Sequence, residues 1–191
     1  MKVSEQLGDT EGQAQCLIRL AQLLCDDNQF EAAEEATLHT IKLFSKKSNQ
    51  FELCQSHRVL GSTYRSKGEL EKAIHHFEVA LGITSPFDWY YQLFGAHFNL
   101  AGLFCDQDRF KDANAHIECA KSHMANSLYD LGAAMEMQAS IWYKQHRLEE
   151  VRSETLCAID VYKKVGATKV IEDCRMLLQD IEGELGALVA S

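Results

Sequence analysis

His116, Cys119 and His123 stand at i, i+3 and i+7, a spacing that sets three metal-ligand side chains along one stripe of an α-helix. Zinc takes four ligands in a tetrahedron, and no second helical segment offers a fourth at a matching place. The sequence therefore predicts no metal site and no cofactor. His57 and His97 lie forty residues apart in equivalent surroundings. They read either as a pH-sensitive pair or as rings packed inside helical hairpins, and their apolar neighbours favour packing. Arg58 and Arg65, seven apart on one helix face, can both reach one acidic segment of a partner; as solvated surface cations they would contribute little. Phe87, Trp89, Tyr90, Tyr91 and Phe94 form an aromatic cluster just after Pro86. It either packs over the preceding hairpin or anchors a partner at a groove edge.

Catalytic constellations do not accompany these residues. The chain has no GxSxG, HExxH, GxxxxGK[ST] or GxGxxG segment, the spacings that build nucleophile elbows, zinc-protease sites and phosphate cradles. Acidic pairs such as Glu34-Glu35 and Glu149-Glu150 fall on helix exteriors. A non-enzymatic protein is expected.

The charge balance narrows the partners. With 28 acidic and 19 basic residues the formal net charge is −9, so the basic footprint that displaces counterions from nucleic acid is missing. An anionic membrane surface is disfavoured on the same ground, and no apolar run has the length of a membrane span. The first residues, Met1-Lys2-Val3-Ser4-Glu5, lack the apolar stretch of a signal peptide. Seven cysteines, an odd number without CxxC pairs, fit a reducing, cytoplasmic setting.

The elements that position all of these recur. Leu20-Ala21-(x2)-Leu24-(x5)-Phe30-(x2)-Ala33 returns forty residues later as Leu60-Gly61-(x2)-Tyr64-(x5)-Leu70-(x2)-Ala73, and again as Leu100-Ala101-(x2)-Phe104-(x5)-Phe110-(x2)-Ala113. A weaker copy follows after thirty-eight residues: Gln138-Ala139-(x2)-Trp142-(x5)-Leu148-(x2)-Val151. A fixed period of this size marks a stacked repeat array. Inside each unit the apolar spacing is helical and breaks once, at Asp26–Gln29, Lys67-Gly68, Asp106–Arg109 and Gln145–Arg147. Four helical hairpins are predicted, at about 10–48, 49–86, 87–126 and 127–166. A last helix over 168–189, with Val170, Cys174, Leu177, Leu178, Ile181 and Leu185 on one stripe, serves as a cap. Longer connections are expected at 45–50, 84–88 and 126–129. Residues 1–8 read as the remnant of a preceding repeat.

The clearest unit, Leu60 through Leu81, resembles the tetratricopeptide repeat at Gly61, Tyr64, Gly68, Ala73, Phe77 and Ala80. The longer period resembles the repeats of kinesin light chains and those attached to signal-transduction NTPases. The family's first-helix tryptophan place holds Leu17, His57, His97 and Met135. In the fourth unit His146 replaces the turn glycine and Val151 the packing alanine, so that hairpin is expected to be splayed. The resemblance implies an all-α, right-handed solenoid of four hairpins plus the capping helix. It also implies a concave groove, lined by first helices, that binds a peptide or partner protein. The family's groove places correspond to Gln15, Arg19, Gln22, Arg58, Ser62, Arg65, Phe98, Asn99, Glu136, Ser140 and Tyr143, with Gly102 beside them. The expected role is a protein-interaction module within a larger scaffold or sensor protein. The alternative is self-association through the repeat ends or the last helix.

Overall fold

The computed structural model describes residues 10–44, 49–87, 89–123 and 127–190. Every regular element among them is an α-helix: α1 (Thr10–Asp26), α2 (Phe30–Phe44), α3 (Gln50–Ser66), α4 (Leu70–Thr84), α5 (Tyr90–Asp106), α6 (Phe110–Ser122), α7 (Leu128–Lys144), α8 (Leu148–Val165) and α9 (Thr168–Ala190). The all-α hairpin repeat expected from the sequence is the fold observed. The remnant expected at 1–8 lies outside the described residues, as do parts of the three longer connections.

The chain divides into two compact units, Met1–Ala96 and His97–Ser191. In the first, α1 packs on α2, α2 on α3 and α3 on α4, and α1 also meets α3. In the second, α6 packs on α7, α7 on α8 and α8 on α9.

One turn closes every hairpin. Asn28, Gly68, Asp108 and His146 all take positive φ, at 60°, 78°, 57° and 57°. The residue after each donates its amide five residues back: Gln29 to Leu24 (2.8 Å), Glu69 to Tyr64 (2.9 Å), Arg109 to Phe104 (2.8 Å) and Arg147 to Trp142 (3.0 Å). The αL residue itself donates three residues back in each case. This is the Schellman closure, which satisfies the last carbonyls of the first helix. Glycine adopts the conformation freely and asparagine with little strain, whereas histidine is strained there. The fourth hairpin thus closes like the others, and Val151 is fully buried within it. The splaying expected from His146 and Val151 does not occur: the turn bonds tolerate the strained residue, and valine fills the alanine place without leaving a gap.

Close helix approach needs small residues at the crossing points. Ala21, Ala33, Ala73, Ala101, Ala113 and Ala139 occupy them, all buried. In the first unit a Cβ added at Gly61 would stand 3.0 Å from the Phe77 ring. In the second, one added at Gly132 would stand 2.5 Å from the Tyr162 ring. The small polar residues in this core satisfy themselves. Thr37, Thr63, Thr84 and Thr155 donate to the carbonyls four residues back, at Ala33, Val59, Ala80 and Val151, over 2.7–3.0 Å.

Two stability measurements check these assignments. Gly132→Ala should destabilise by about 1–3 kcal/mol through overpacking against Tyr162, while Gly183→Ala, whose Cβ meets nothing within 4 Å, should gain about 0.5–1 kcal/mol of helix propensity; equal urea midpoints would contradict the placement. His146→Gly should raise stability by about 1 kcal/mol by relieving the αL strain, and an unchanged or lowered midpoint would mean that His146 makes a compensating contact.

Candidate binding groove

In the first unit α1 and α3 lie side by side with a groove between them of about 720 Å³. Its wall on α1 carries Gln15, Arg19 and Gln22; its wall on α3 carries Glu52, Gln55, Arg58 and Ser62. Both sets follow the three-and-four spacing of a single helix face. Ile18 and Val59 add apolar surface, and Phe51 and Tyr91 add aromatic surface. Glu52 is buried and accepts from Gln15 Nε2 at 3.3 Å.

Arg58 is held more firmly than a surface arginine. Its Nη1 donates to Oε1 of the buried Gln92, and its guanidinium carbon lies 5.4 Å from the ring centre of Tyr91. Gly95 makes room for it, since a Cβ there would be 2.6 Å from Nη2. Gly95 stands one period after Gln55, and only a residue without a side chain admits the guanidinium. The Nε of Arg58 is buried and meets no acceptor among the described residues. No described carboxylate lies within ion-pair distance of this arginine.

Phe51 packs edge-on to Trp89 at 5.3 Å, and Trp89 stacks on Phe87 at 4.4 Å. Leu93 and Phe94 are buried while Tyr90 and Tyr91 are exposed. The aromatic cluster therefore divides: part of it packs inward, and Tyr91 stays open at the groove.

No family model and no curated protein sequence matches the chain. Solved structures do. One is BtubC (BKLC) from P. vanneervenii, at 15% identity and a TM-score of 0.67, covering 97% of this chain and 93% of that one. Another is a putative kinesin light chain from Podosopora anserina with nearly identical TPR-like repeats, at 13% identity and a TM-score of 0.56, covering 90% of this chain and 95% of that one. The fold is tetratricopeptide-like.

Of the groove places carried over from the tetratricopeptide pattern, Gln15, Arg19, Gln22, Arg58 and Ser62 come together in the first unit. Arg65, half-buried further along α3, does not line this groove; Arg19 is the second cation beside Arg58. Phe98 and Asn99 lie half-buried on α5 and Gly102 is buried, all in the second unit. Glu136 accepts from Cys174 Sγ on α9 at 3.6 Å and from the Tyr162 phenol. Tyr143 donates to Glu184 on α9 at 2.8 Å, and Ser140 bonds back to the Glu136 carbonyl at 2.9 Å. The second-unit places on α7 are thus engaged by α9 or by their own helix. Glu52, Gln55, Gln92, Tyr91 and Gly95 were not singled out from the sequence. Gly95 carried the usable signal, a mid-helix glycine that costs propensity without marking a turn.

The histidines resolve as packing pairs, each inside its own hairpin. In the first unit His57 Nδ1 lies 3.0 Å from His76 Nδ1, and Tyr64 stacks on His76 at 5.4 Å. In the second, His97 Nδ1 lies 2.9 Å from His116 Nδ1, and Phe104 stacks on His116 at 5.2 Å. One nitrogen of each pair must carry the proton and the other accept it. His116 is therefore bonded to His97, Cys119 is exposed, and among the described residues no three ligand side chains gather as a metal set. None of the seven cysteines forms a disulfide, and burial pushes the thiols of Cys54 and Cys174 up to about 11 and about 12, out of the thiolate range at neutral pH.

Burial, then the neighbouring imidazoles His57 and His75, pushes His76 down to about 4. Burial, then His116 and His123, pushes His97 to about 4 as well. The unfolded chain, titrating near 6.5, then binds more protons than the folded one between those limits, so stability falls as pH drops through 6.5 toward 4. Each ring can add up to about 1.4 kcal/mol per pH unit to that slope. Urea midpoints measured from pH 7.5 to 5 should decline for the wild type below 6.5 and decline less for His76→Gln/His97→Gln. A wild-type profile flat over that range would show that the rings titrate normally.

Proposed function

We propose that this chain is a non-enzymatic protein-interaction module whose first-unit groove receives an extended or helical segment of another protein, with an acidic side chain of that segment on Arg58. The observation that carries the reading is the state of Arg58: a half-buried guanidinium, oriented by Gln92, Tyr91 and Gly95, facing a groove and lacking a described carboxylate partner. A desolvated charge of this kind is stabilised by an opposite charge brought to it. The amides of Gln15, Gln22 and Gln55 can both donate to and accept from a peptide backbone. Exposed Tyr91 offers the kind of rigid aromatic contact that concentrates binding energy.

The net charge of −9 argues against nucleic acid and against anionic membranes as ligands. No described helix is long and apolar enough to cross a membrane. A scaffold or sensor role follows from binding without catalysis, and cytoplasmic residence agrees with seven cysteines that form no disulfide.

Trp89, packed against groove-lining Phe51, supplies the readout. Fluorescence titrations of the wild type and Arg58→Met with end-blocked peptides carrying Asp or Glu, and with their Asn or Gln counterparts, test the assignment. Neutralising either side should weaken binding about tenfold or more, and neutralising both should weaken it little further. Equal affinities across the four combinations would remove Arg58 from the account; a peptide panel that fails altogether would remove the groove.

A further inference from the structure

A different face of α1, away from the groove, carries Cys16, Leu20 and Leu23 in one stripe. Cys16 is exposed, Leu20 is 41% exposed and Leu23 63% exposed. The same three places recur on every other first helix, and there they are closed. On α3, which packs on α2, they hold Ser56, Leu60 and Thr63, each 0% exposed. On α7 they hold Ala134, Gln138 and Ile141, at most 3% exposed, with Gln138 donating to Asn114 of α6 at 2.6 Å. On α9 they hold Cys174, Leu178 and Ile181. Cys174 and Leu178 pack with Ala158, Ile159 and Tyr162 of α8, and Ile181 with Leu148 and Val151 of α8. In each case the cover is the second helix of the preceding hairpin.

Two of the covering helices, α2 and α8, share a ridge, whereas α6 holds Ala113, Ile117 and Ala120 in the first three of the same places. On α2 it runs Ala33, Thr37, Thr40, Phe44, and on α8 Val151, Thr155, Ala158, Tyr162, all buried. The order is small or β-branched, threonine, small, aromatic, at i, i+4, i+7 and i+11. Small residues along that line let the facing leucines approach, and threonine hides its hydroxyl by bonding to its own helix. On α9 the places one residue further on, Arg175, Gln179 and Glu182, are exposed and polar.

We propose that the Cys16–Leu20–Leu23 stripe is a docking face for an amphipathic partner helix bearing this small–threonine–small–aromatic ridge, seated on α1 as α8 sits on α9. Continuity with the chain's own inter-hairpin packing supplies the occupant's chemistry. A second copy of the chain does not fit that role in the same geometry. The ridges of α2 and α8 are already turned to α3 and α9, and α6 packs on α7.

The full chain can be tested with a fluorescently labelled peptide of residues 148–165, held helical by a hydrocarbon staple between the exposed positions of Arg152 and Leu156. Anisotropy should report saturable binding that weakens at least tenfold in Leu23→Glu. Leu38→Glu, at a leucine of α2 that is 47% exposed and outside the stripe, should bind as the wild type does. Peptide carrying Thr155→Arg should not bind. Circular dichroism melts of both variants establish that they fold. Absence of binding, or binding indifferent to Leu23→Glu, overturns the proposal. So does a wild-type dimer in sedimentation that Leu23→Glu disperses, because the stripe would then belong to a second copy. The Arg58→Met protein should bind this peptide normally, which separates failure here from failure of the groove.

Discussion

Two helices joined by a three-residue turn must lie almost in contact, and that closeness governs this molecule. The turn requires one residue in the left-handed region, met in four different ways by Asn28, Gly68, Asp108 and His146. The crossing requires small residues opposite large ones. Gly61 against Phe77 and Gly132 against Tyr162 show it, an added methyl group standing 3.0 Å and 2.5 Å from a ring. Both demands concern backbone and volume rather than chemistry. The repeat can therefore exchange glycine for histidine at a turn, or alanine for valine at Val151, and keep the hairpin closed.

Because the constraint falls on the inward and inter-hairpin faces, it leaves the groove face of each first helix free. Gln15 and Gln55 stand at equivalent places and Gly95 follows them one period later. The guanidinium of Arg58 asks for a glycine there, since it lies where a side chain at that place would begin. A helix-weakening residue of this kind is tolerated in exchange for a fixed cation, and fixing it removes the rotamer entropy a long side chain otherwise loses on binding. The orientation of Arg58 is thus set by the chain's own residues.

The sequence disclosed what repeats and concealed what pairs. Helix ends followed from the break in periodicity: the one at Lys67-Gly68 falls between α3, which ends at Ser66, and α4, which begins at Leu70. The small crossing residues followed from their recurrence. His76 and His116 did not, although each lies nineteen residues after its partner in the same hairpin. A forty-residue comparison aligns His57 with His97 and says nothing of which ring each one meets. The open stripe on α1 was hidden for the converse reason: Leu20 matches Leu60 in type, and burial is not a property of type. Arg65 was joined to Arg58 because they share a helix face, yet the groove is a property of two helices, and its second cation, Arg19, comes from the other one.

Polar groups inside a helical hairpin have few places to turn, since the backbone satisfies itself. Here they are matched locally. The buried threonines bond to their own helix, Gln138 is met by Asn114, and the imidazoles meet one another. Each solution uses a partner within one hairpin or one helix step, which keeps the desolvation cost of every group covered where it arises. Against that economy the Nε of Arg58 is an exception with a direction, because the open side of its surroundings is the groove. A core defect of the same kind could be mended by a hydrophobic substitution. In the proposed function, the cation held beside Gly95 is half of a contact whose other half is carried by another molecule.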